Sequence, residues 1–496
     1  MTQPVVPNEA TTPTADAARS TRARILSVLR NPVFLIGVAT AIIAYSLTQG
    51  YEWGVINWTF GRETGRKPAL PALVIISTFL ALPIAYRYLR TSSHVRRALA
   101  LLILVGVGVY WSHSFLEGAG FKPMSKMIWT KGHAEFLRIA QEEPPAVLVA
   151  NYTAMSRKHK WRFARSKPPG SVLVYRGIIA AADSPFGGLV APIYEDQPKK
   201  GWQETRDWRI SGVMFTLLPF LTFLTIIPLY QLTVLLAGRR EAQIAALLYA
   251  VVPVLSLVPM HLDGALYPLL GTSAAALMAW GFERRKPWMA AVSGLVLSAG
   301  VFVTFGLLAI VPVVALLPMY QLTREDGPWR TRVRSAAGYV GWFALGLVAF
   351  HLPLVAFLHY DPIECFNDAM QNHTTWWKGG GHNWVLGSPM QFAVWIGLPV
   401  AVAAVVGAFA SLRREHFLNP TSLLLLATFV SIALTAWHGS ARAEAQRLWI
   451  FFTPLLMVGA ARQIATWEDR HGRTLVPAFI AMELATAVFI KTHFTF

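Results

Sequence analysis

Two carboxylates, Glu135 and Asp263, are the residues in this sequence best suited to transfer chemistry. Glu135 stands in Gly132-His133-Ala134-Glu135-Phe136-Leu137-Arg138, which reads as the start of an amphipathic helix just after an apolar run. A carboxylate there would be the general base that takes a proton from an acceptor hydroxyl. The plainer alternative is a solvated helix-face acid paired with Arg138 by i,i+3 contact. Asp263, in His261-Leu262-Asp263-Gly264-Ala265-Leu266-Tyr267, marks the turn between two apolar runs. An acid at membrane depth is costly and usually faces a protein interior, so Asp263 either shapes a site or caps the next helix through backbone N–H groups. Glu52, Asp183 and Asp361 are the next acids to test should Glu135 not be the base.

Between the two acids runs Arg157-Lys158-His159-Lys160-Trp161-Arg162-Phe163-Ala164-Arg165-Ser166-Lys167-Pro168-Pro169-Gly170. Arginine grips phosphate bidentately and lysine acts as a point charge, so Arg162, Arg165 and Lys167 suit a phosphate; anionic lipid headgroups would suit the run equally. Two fixed φ angles followed by a permissive glycine hold Lys167 on a stiff turn. Further on, Arg442 and Arg447 flank Glu444 just before an apolar segment, where they hold a substrate phosphate or form an ion pair at a helix entrance. His373, Trp376, Trp377, Lys378, His382 and Trp384 crowd a Gly-rich stretch. Indole faces stack on sugar rings, and interfacial aromatic belts use the same residues. His373 and His382 are too weak a pattern to assign a metal, and a divalent metal stays open.

These groups need a scaffold, and the composition says which. Of 496 residues, 54% are apolar and 14% charged, against roughly a quarter charged in ordinary soluble domains. That excludes a soluble enzyme of usual make-up. The net charge of +18 would otherwise suggest nucleic acid, but much of it marks membrane topology. About eighteen cations, among them Arg96, Arg97, Arg239, Arg240, Arg284, Arg285, Lys286, Arg413 and Arg414, fall in short connections on one side, against Arg62, Arg66, Lys67, Lys378, Arg442, Arg447 and Lys491 on the other. The bias predicts a cytoplasmic N-terminus, with the C-terminus and the large loops outside. No nucleic-acid partner is expected. The single cysteine, Cys365, excludes a disulfide framework or a cysteine-based metal cluster.

The expected fold is an all-α polytopic membrane protein of about thirteen spans with a small mixed extracytoplasmic domain. Helices are predicted near 33–49, 71–86, 98–114, 209–236, 241–260, 265–281, 287–303, 305–320, 336–357, 391–411, 421–437, 447–462 and 474–490. The chain divides into a disordered basic cytoplasmic tail (1–30), N-terminal spans (31–114), an outer loop domain holding the candidate active site (115–208), a central bundle (209–357), a Trp/Gly/His-rich outer loop (358–390) and C-terminal spans (391–496).

Gly132–Ala140, the segment from Ser166 through Pro168-Pro169 to Arg176, the outer-turn Asp263 and the late segment Arg442–Leu455 together resemble the GT-C class of polytopic glycosyltransferases. That class includes the bacterial aminoarabinose transferases and the protein O-mannosyltransferases. The resemblance implies transfer of a sugar from a polyprenyl-phosphate donor to an extracytoplasmic glycan, lipid or protein acceptor, in a multi-pass protein of the inner membrane. It implies Glu135 as base, Lys167 on the donor phosphate and Asp263 shaping the site or holding a metal. Ser166 stands where some relatives place an acid that works with a metal. The candidate set is then Glu135 and Asp263 for catalysis, Lys167, Arg165, Arg162, Arg442 and Arg447 for the donor phosphate, and His133, Tyr175, Trp376, Trp377 and His382 for substrate contact. Two rivals remain: an O-antigen polymerase- or ligase-like enzyme relying on loop Arg and His, and a transporter or lipid flippase, for which His351 is the clearest intramembrane group.

Overall fold

The computed structural model describes residues 31–48, 87, 94–114, 116, 127–129, 131–191, 205–258, 260–324, 328–376, 384–414, 418–439, 441, 444–472 and 475–493. Every regular element among them is an α-helix or a 3-10 turn. Lipid offers no partner for a free backbone N–H or C=O, and a helix satisfies both within itself.

Seven helical segments are long and apolar enough to cross a membrane: Val95–Ser114, Asp207–Leu236, Arg239–Leu257, Leu262–Glu283, Phe305–Thr323, Trp329–Leu358 and Pro420–His438. A further apolar pair, Trp384–Trp395 and Leu398–Arg413, is bent by 116° and counts as an eighth crossing only if its two halves form one span. The break falls at Gly397, whose φ of +86° suits glycine. The chain is thus a multi-pass membrane protein. Seven or eight spans are found among the described residues against the thirteen expected, and the helix expected at 474–490 is present as Leu475–His493 without being counted among them. The helix expected at 71–86 lies outside the described residues. Pro32–Ser46 and Trp288–Val303 are apolar but short. The one expected at 447–462 is a 3-10 turn, Ile450–Phe452, that leads into Thr453–His471, whose last turns carry Glu468, Asp469 and Arg470.

We label the elements that build the site α1 (Val95–Ser114), α2 (Lys131–Glu142), α3 (Pro145–Lys158), α4 (Gly170–Asp183), α5 (Leu262–Ala265), α6 (Tyr267–Glu283), α7 (Trp288–Val303), α8 (Trp329–Leu358), α9 (Pro362–Trp376) and α10 (Ala445–Leu448). Helices α2 to α4 belong to the first expected outer loop, whose regular elements among the described residues are all helical. The reason is periodicity: Val172, Tyr175, Ile178, Ile179 and Ala182 are buried on one face of α4 at spacings of three and four. Phe136 of α2 stacks on Tyr175 of α4, ring centroids 5.3 Å apart. Arg176 then donates to the carbonyls of Ala140 and Glu143, both at 2.7 Å, and closes the C-terminal end of α2.

Close backbone approaches set the depth of this layer. A Cβ on Gly170 would lie 2.2 Å from the Phe302 carbonyl oxygen, so α4 starts directly against the end of α7. Helices α7 and α8 cross as tightly, since a Cβ on Gly346 would lie 2.0 Å from the Ala291 carbonyl oxygen.

Candidate active site

The turn that carries Lys167 is built from both sides. Ala164–Ser166 forms one 3-10 turn, Lys167 is extended, and Pro168-Pro169 lead into α4. Tyr152 of α3 donates to the Ala164 carbonyl at 2.7 Å. Glu135 of α2 accepts from the backbone N–H groups of Arg162, Phe163 and Ala164 at 3.1, 2.9 and 2.8 Å. Both carboxylate oxygens are therefore engaged with the loop backbone, satisfying donors that open the 3-10 turn. This differs from an open general base and from a partner for Arg138. A carboxylate on a helix face can serve in any of these ways, and only the fold shows which.

Asp263 is held by a second turn. Met260 adopts a left-handed φ of 66°, uncommon for a residue with a side chain. Its N–H donates to the Tyr110 hydroxyl of α1 at 2.5 Å. The chain then enters α5, which breaks at Leu266 because Pro268 follows in the first turn of α6. Asp263 is 3% exposed and makes no capping bond to its own helix.

The two turns meet. The Lys167 ammonium donates to Asp263 Oδ1 at 3.0 Å and to the Tyr267 hydroxyl at 2.7 Å. Arg447 of α10 approaches from the far end of the sequence, its Nε 3.6 Å from Asp263 Oδ2, while its Nη2 donates to Glu444 at 2.7 Å. His261 Nδ1 lies 3.8 Å from the same Oδ2. His133 stands 4.5 Å from His261, ring to ring, and its Nδ1 is 2.5 Å from the Tyr175 hydroxyl. Its Nε2 is buried and has no hydrogen-bond partner among the described residues.

Electrostatics follow from this geometry. Burial works against the Lys167 ammonium, but the Asp263 carboxylate and Tyr267 outweigh it and hold its pKa above the usual lysine value. Arg447 is likewise raised: burial opposes its charge, and Asp263 and Glu444 more than compensate. The histidines move the other way. Burial, then Arg447, lowers His133 to about 4. Burial, then His133 and Arg447, puts His261 well below the ordinary value. Both rings are neutral at pH 7. Burial raises the Tyr175 phenol well above 10.0, so it stays protonated.

Lys167, Asp263, Arg447, His133 and Tyr175 are thus brought together, while Arg165 and Arg162 turn to other partners. Arg165 donates to Asp368 of α9 at 2.9 and 2.7 Å, and Arg157 donates to the same carboxylate at 2.8 Å. Burial opposes the Asp368 charge, but these guanidinium bonds hold its pKa below the usual carboxylate range. The Arg162 guanidinium lies over the Phe163 ring, 5.1 Å from its centroid. Arg442, Trp377, His382 and the side chain of Trp376 lie outside the described residues.

No group of three His, Cys, Asp or Glu that could hold a metal ion occurs among the described residues. The buried Asp263 carboxylate already faces two fixed cations, Lys167 and Arg447.

No protein-family profile matches the chain, and no curated protein matches it. Solved structures do. The oligosaccharyltransferase AglB of Archaeoglobus fulgidus, in complex with an inhibitory peptide and a dolichol-phosphate, is similar over 81% of this chain and 57% of that one, with 14% identity and a TM-score of 0.47. The Archaeoglobus fulgidus oligosaccharyltransferase in the apo form (15% identity, TM-score 0.43) covers 74% of this chain and 57% of that one. Its complex with Zn and sulfate (16%, 0.40) covers 66% and 45%. The chain thus spans about half the length of these proteins. At such identities, substrates and partners do not carry over.

Sequence reasoning passed over several participants. Tyr267 is one helical turn from Asp263, and that spacing was a signal for a shared face. His261 stood in the same motif. Nothing in the sequence pointed to Asp368 as the counter-charge of Arg165, since the two are 203 positions apart.

Proposed function

We propose that this protein is a membrane glycosyltransferase that moves a sugar from a polyprenyl-phosphate carrier to an acceptor outside the cytoplasm. The observation that carries this reading is the convergence of Lys167 and Arg447, from remote parts of the chain, on the buried carboxylate of Asp263 at the head of a membrane helix. A phosphate entering there meets an ammonium, a guanidinium and the Tyr267 hydroxyl. Charge develops on the phosphate as the anomeric C–O bond breaks, and preplaced cations stabilise that state more than the ground state. Lys167 and Arg447 remain 20% and 29% exposed, which leaves them reachable.

In this reading Asp263 keeps the two cations on one spot. Glu135 acts as a positioning residue through the backbone of 162–164, and the Asp368 clamp on Arg157 and Arg165 holds the same loop from the other side. The positive end of the span that begins at Leu262 is Arg284-Arg285-Lys286, so the positive-inside rule puts the cluster on the outer side. The carrier's apolar tail would lie along the helices with its phosphate at the cluster.

The test is reconstitution in liposomes with an undecaprenyl-phosphate-linked hexose and a panel of glycan, lipid and peptide acceptors. Sugar transfer by the wild type, lost in both Lys167→Ala and Arg447→Ala, supports the reading. Lipid movement across the bilayer with no transfer to any acceptor would replace it with the flippase alternative.

A further inference from the structure

Glu483 is a buried acid that the reading above leaves without a role. It sits in the apolar C-terminal helix Leu475–His493 and is 0% exposed. An acid so enclosed in a membrane protein is costly and calls for a function. What it touches is the break at Gly397. Its Oε1 accepts from the Val400 N–H at 3.1 Å. Val400 lies in the first turn of the second half of the bent pair, where Pro399 has no N–H and Ala401 already donates to the Gly397 carbonyl at 2.9 Å. The carboxylate therefore caps this half from outside, at its positive end. Its Oε2 has no hydrogen-bond partner among the described residues and fills the space beside Gly397, where a Cβ would overlap it. The glycine and the acid form one joint.

The first half of the bent pair, Trp384–Trp395, leads from that joint to the phosphate-facing cations. It packs against α10, the four-residue helix that carries Arg447. A single turn does not hold itself in place, so its neighbours set it. Trp449 closes α10, its N–H donating to the Ala445 carbonyl at 3.0 Å. The Trp449 ring meets Phe392 edge-on, centroids 5.9 Å apart, and both side chains are buried. Helix α10 also packs against α5, which carries Asp263.

We propose that Glu483 is a positioning residue of the donor site: by holding the bend at Gly397 it seats Trp384–Trp395 against α10 and so fixes Arg447 beside Asp263. A change in the bend reaches the guanidinium through Phe392 and Trp449. Glu483 itself stays away from the phosphate. This inference rests on the donor reading, and its test separates the two.

The probe is undecaprenyl methyl phosphate, bound to the full-length protein in nanodiscs. Glu483→Ala and Glu483→Asp are each made alone and together with Arg447→Ala. The aspartate keeps the acid but withdraws it by one methylene, which gives a milder variant should the alanine not fold. Phe392→Leu trims the link, leaves the cap intact, and should show the same pattern with a smaller loss. Either Glu483 change should weaken probe binding by about tenfold, the scale of effects passed through packed side chains. In the Arg447→Ala background the same change should cost less than about twofold, because the group it positions is gone. Equal losses in the two backgrounds, as a merely structural role would give, overturn the proposal. Wild-type binding by the Glu483 variants overturns it as well. In both cases the donor reading stands, provided that Arg447→Ala itself weakens binding. Arg447→Ala that binds the probe as tightly as the wild type overturns both.

Discussion

Lys167 Nζ and Asp263 Oδ1 stand 3.0 Å apart across 96 positions of sequence, on side chains that are 20% and 4% exposed. A pair this enclosed is tied to both folding and chemistry. Removing one partner strands the other's charge, at about 3–5 kcal/mol. Asp263→Asn and Lys167→Met should each lower the thermal unfolding temperature in detergent and reduce sugar transfer at least about 100-fold. The double variant Lys167→Met/Asp263→Leu should regain much of the lost stability while transfer stays absent. Recovery of transfer in the double variant would count against a chemical role for the pair.

Glu135 should behave as a positioning residue. Its three backbone donors lose their acceptor in Glu135→Ala, at about 1–3 kcal/mol. Glu135→Gln keeps an acceptor and should retain most of the stability. The kinetic signature is a rise in KM for the lipid-linked donor with a smaller change in kcat, because the Lys167 turn loosens. A kcat loss of about a thousandfold in Glu135→Gln with KM unchanged would instead restore the general-base role.

Gly170→Ala tests how firmly the Lys-Pro-Pro turn is seated. Its new Cβ would fall 2.2 Å from the Phe302 carbonyl oxygen, and a backbone group cannot yield as a flexible side chain can. Overpacking of this kind typically costs about 1–3 kcal/mol. Transfer should fall more than stability does, since the displaced segment carries Lys167. Gly177→Ala on the same helix, where no atom stands within 4 Å, serves as the control and should be neutral.

Acid should destabilise the protein through its buried histidines. The His133 pKa is lowered to about 4 in the folded state, against about 6.5 unfolded. The unfolded chain therefore binds more protons between those values, and stability, full above about pH 6.5, declines as pH falls toward 4. His261 acts in the same direction. Thermal midpoints from pH 8 to pH 4.5 should show a decline that is shallower in His133→Gln. An equal slope in that variant would place the acid sensitivity elsewhere.

Asp368→Asn should release the Arg165 guanidinium and leave Arg157 with Glu364 alone, at 2.9 Å. Arg157 and Arg165 would keep their charge without the carboxylate that now takes bonds from both. The variant should bind cardiolipin-containing vesicles more tightly than the wild type, with a loss of about 2 kcal/mol in stability. Unchanged lipid binding would show that the loop cations are occupied by other partners.

Much of this site could be read from residue order. Pro168-Pro169-Gly170 announced a stiff turn at Lys167, an acid between two apolar runs announced Asp263, and Arg447 announced a cation at a helix entrance. Each rests on local chemistry, which sequence records. What it does not record is which distant groups share a space. Arg165 looked like a phosphate ligand until Asp368 of α9 claimed it, and Glu135 looked free until the backbone of 162–164 closed on it. The number of spans is less legible for a related reason: apolar composition marks a buried helix and a membrane helix alike, and a break such as Gly397 depends on packing.

The order of Lys167, Asp263 and Arg447 along the chain has a bearing on biosynthesis. Lys167 leaves the ribosome first and Asp263 second, so the acid can enter the bilayer already matched to a cation. Arg447 arrives only after most of the remaining helices have been made. A chain arrested before that point would lack Arg447 and the buried residues around Trp449 to Ile464 that pack behind it. Competence would then be acquired in one of the last acts of synthesis, once the bundle around it has closed.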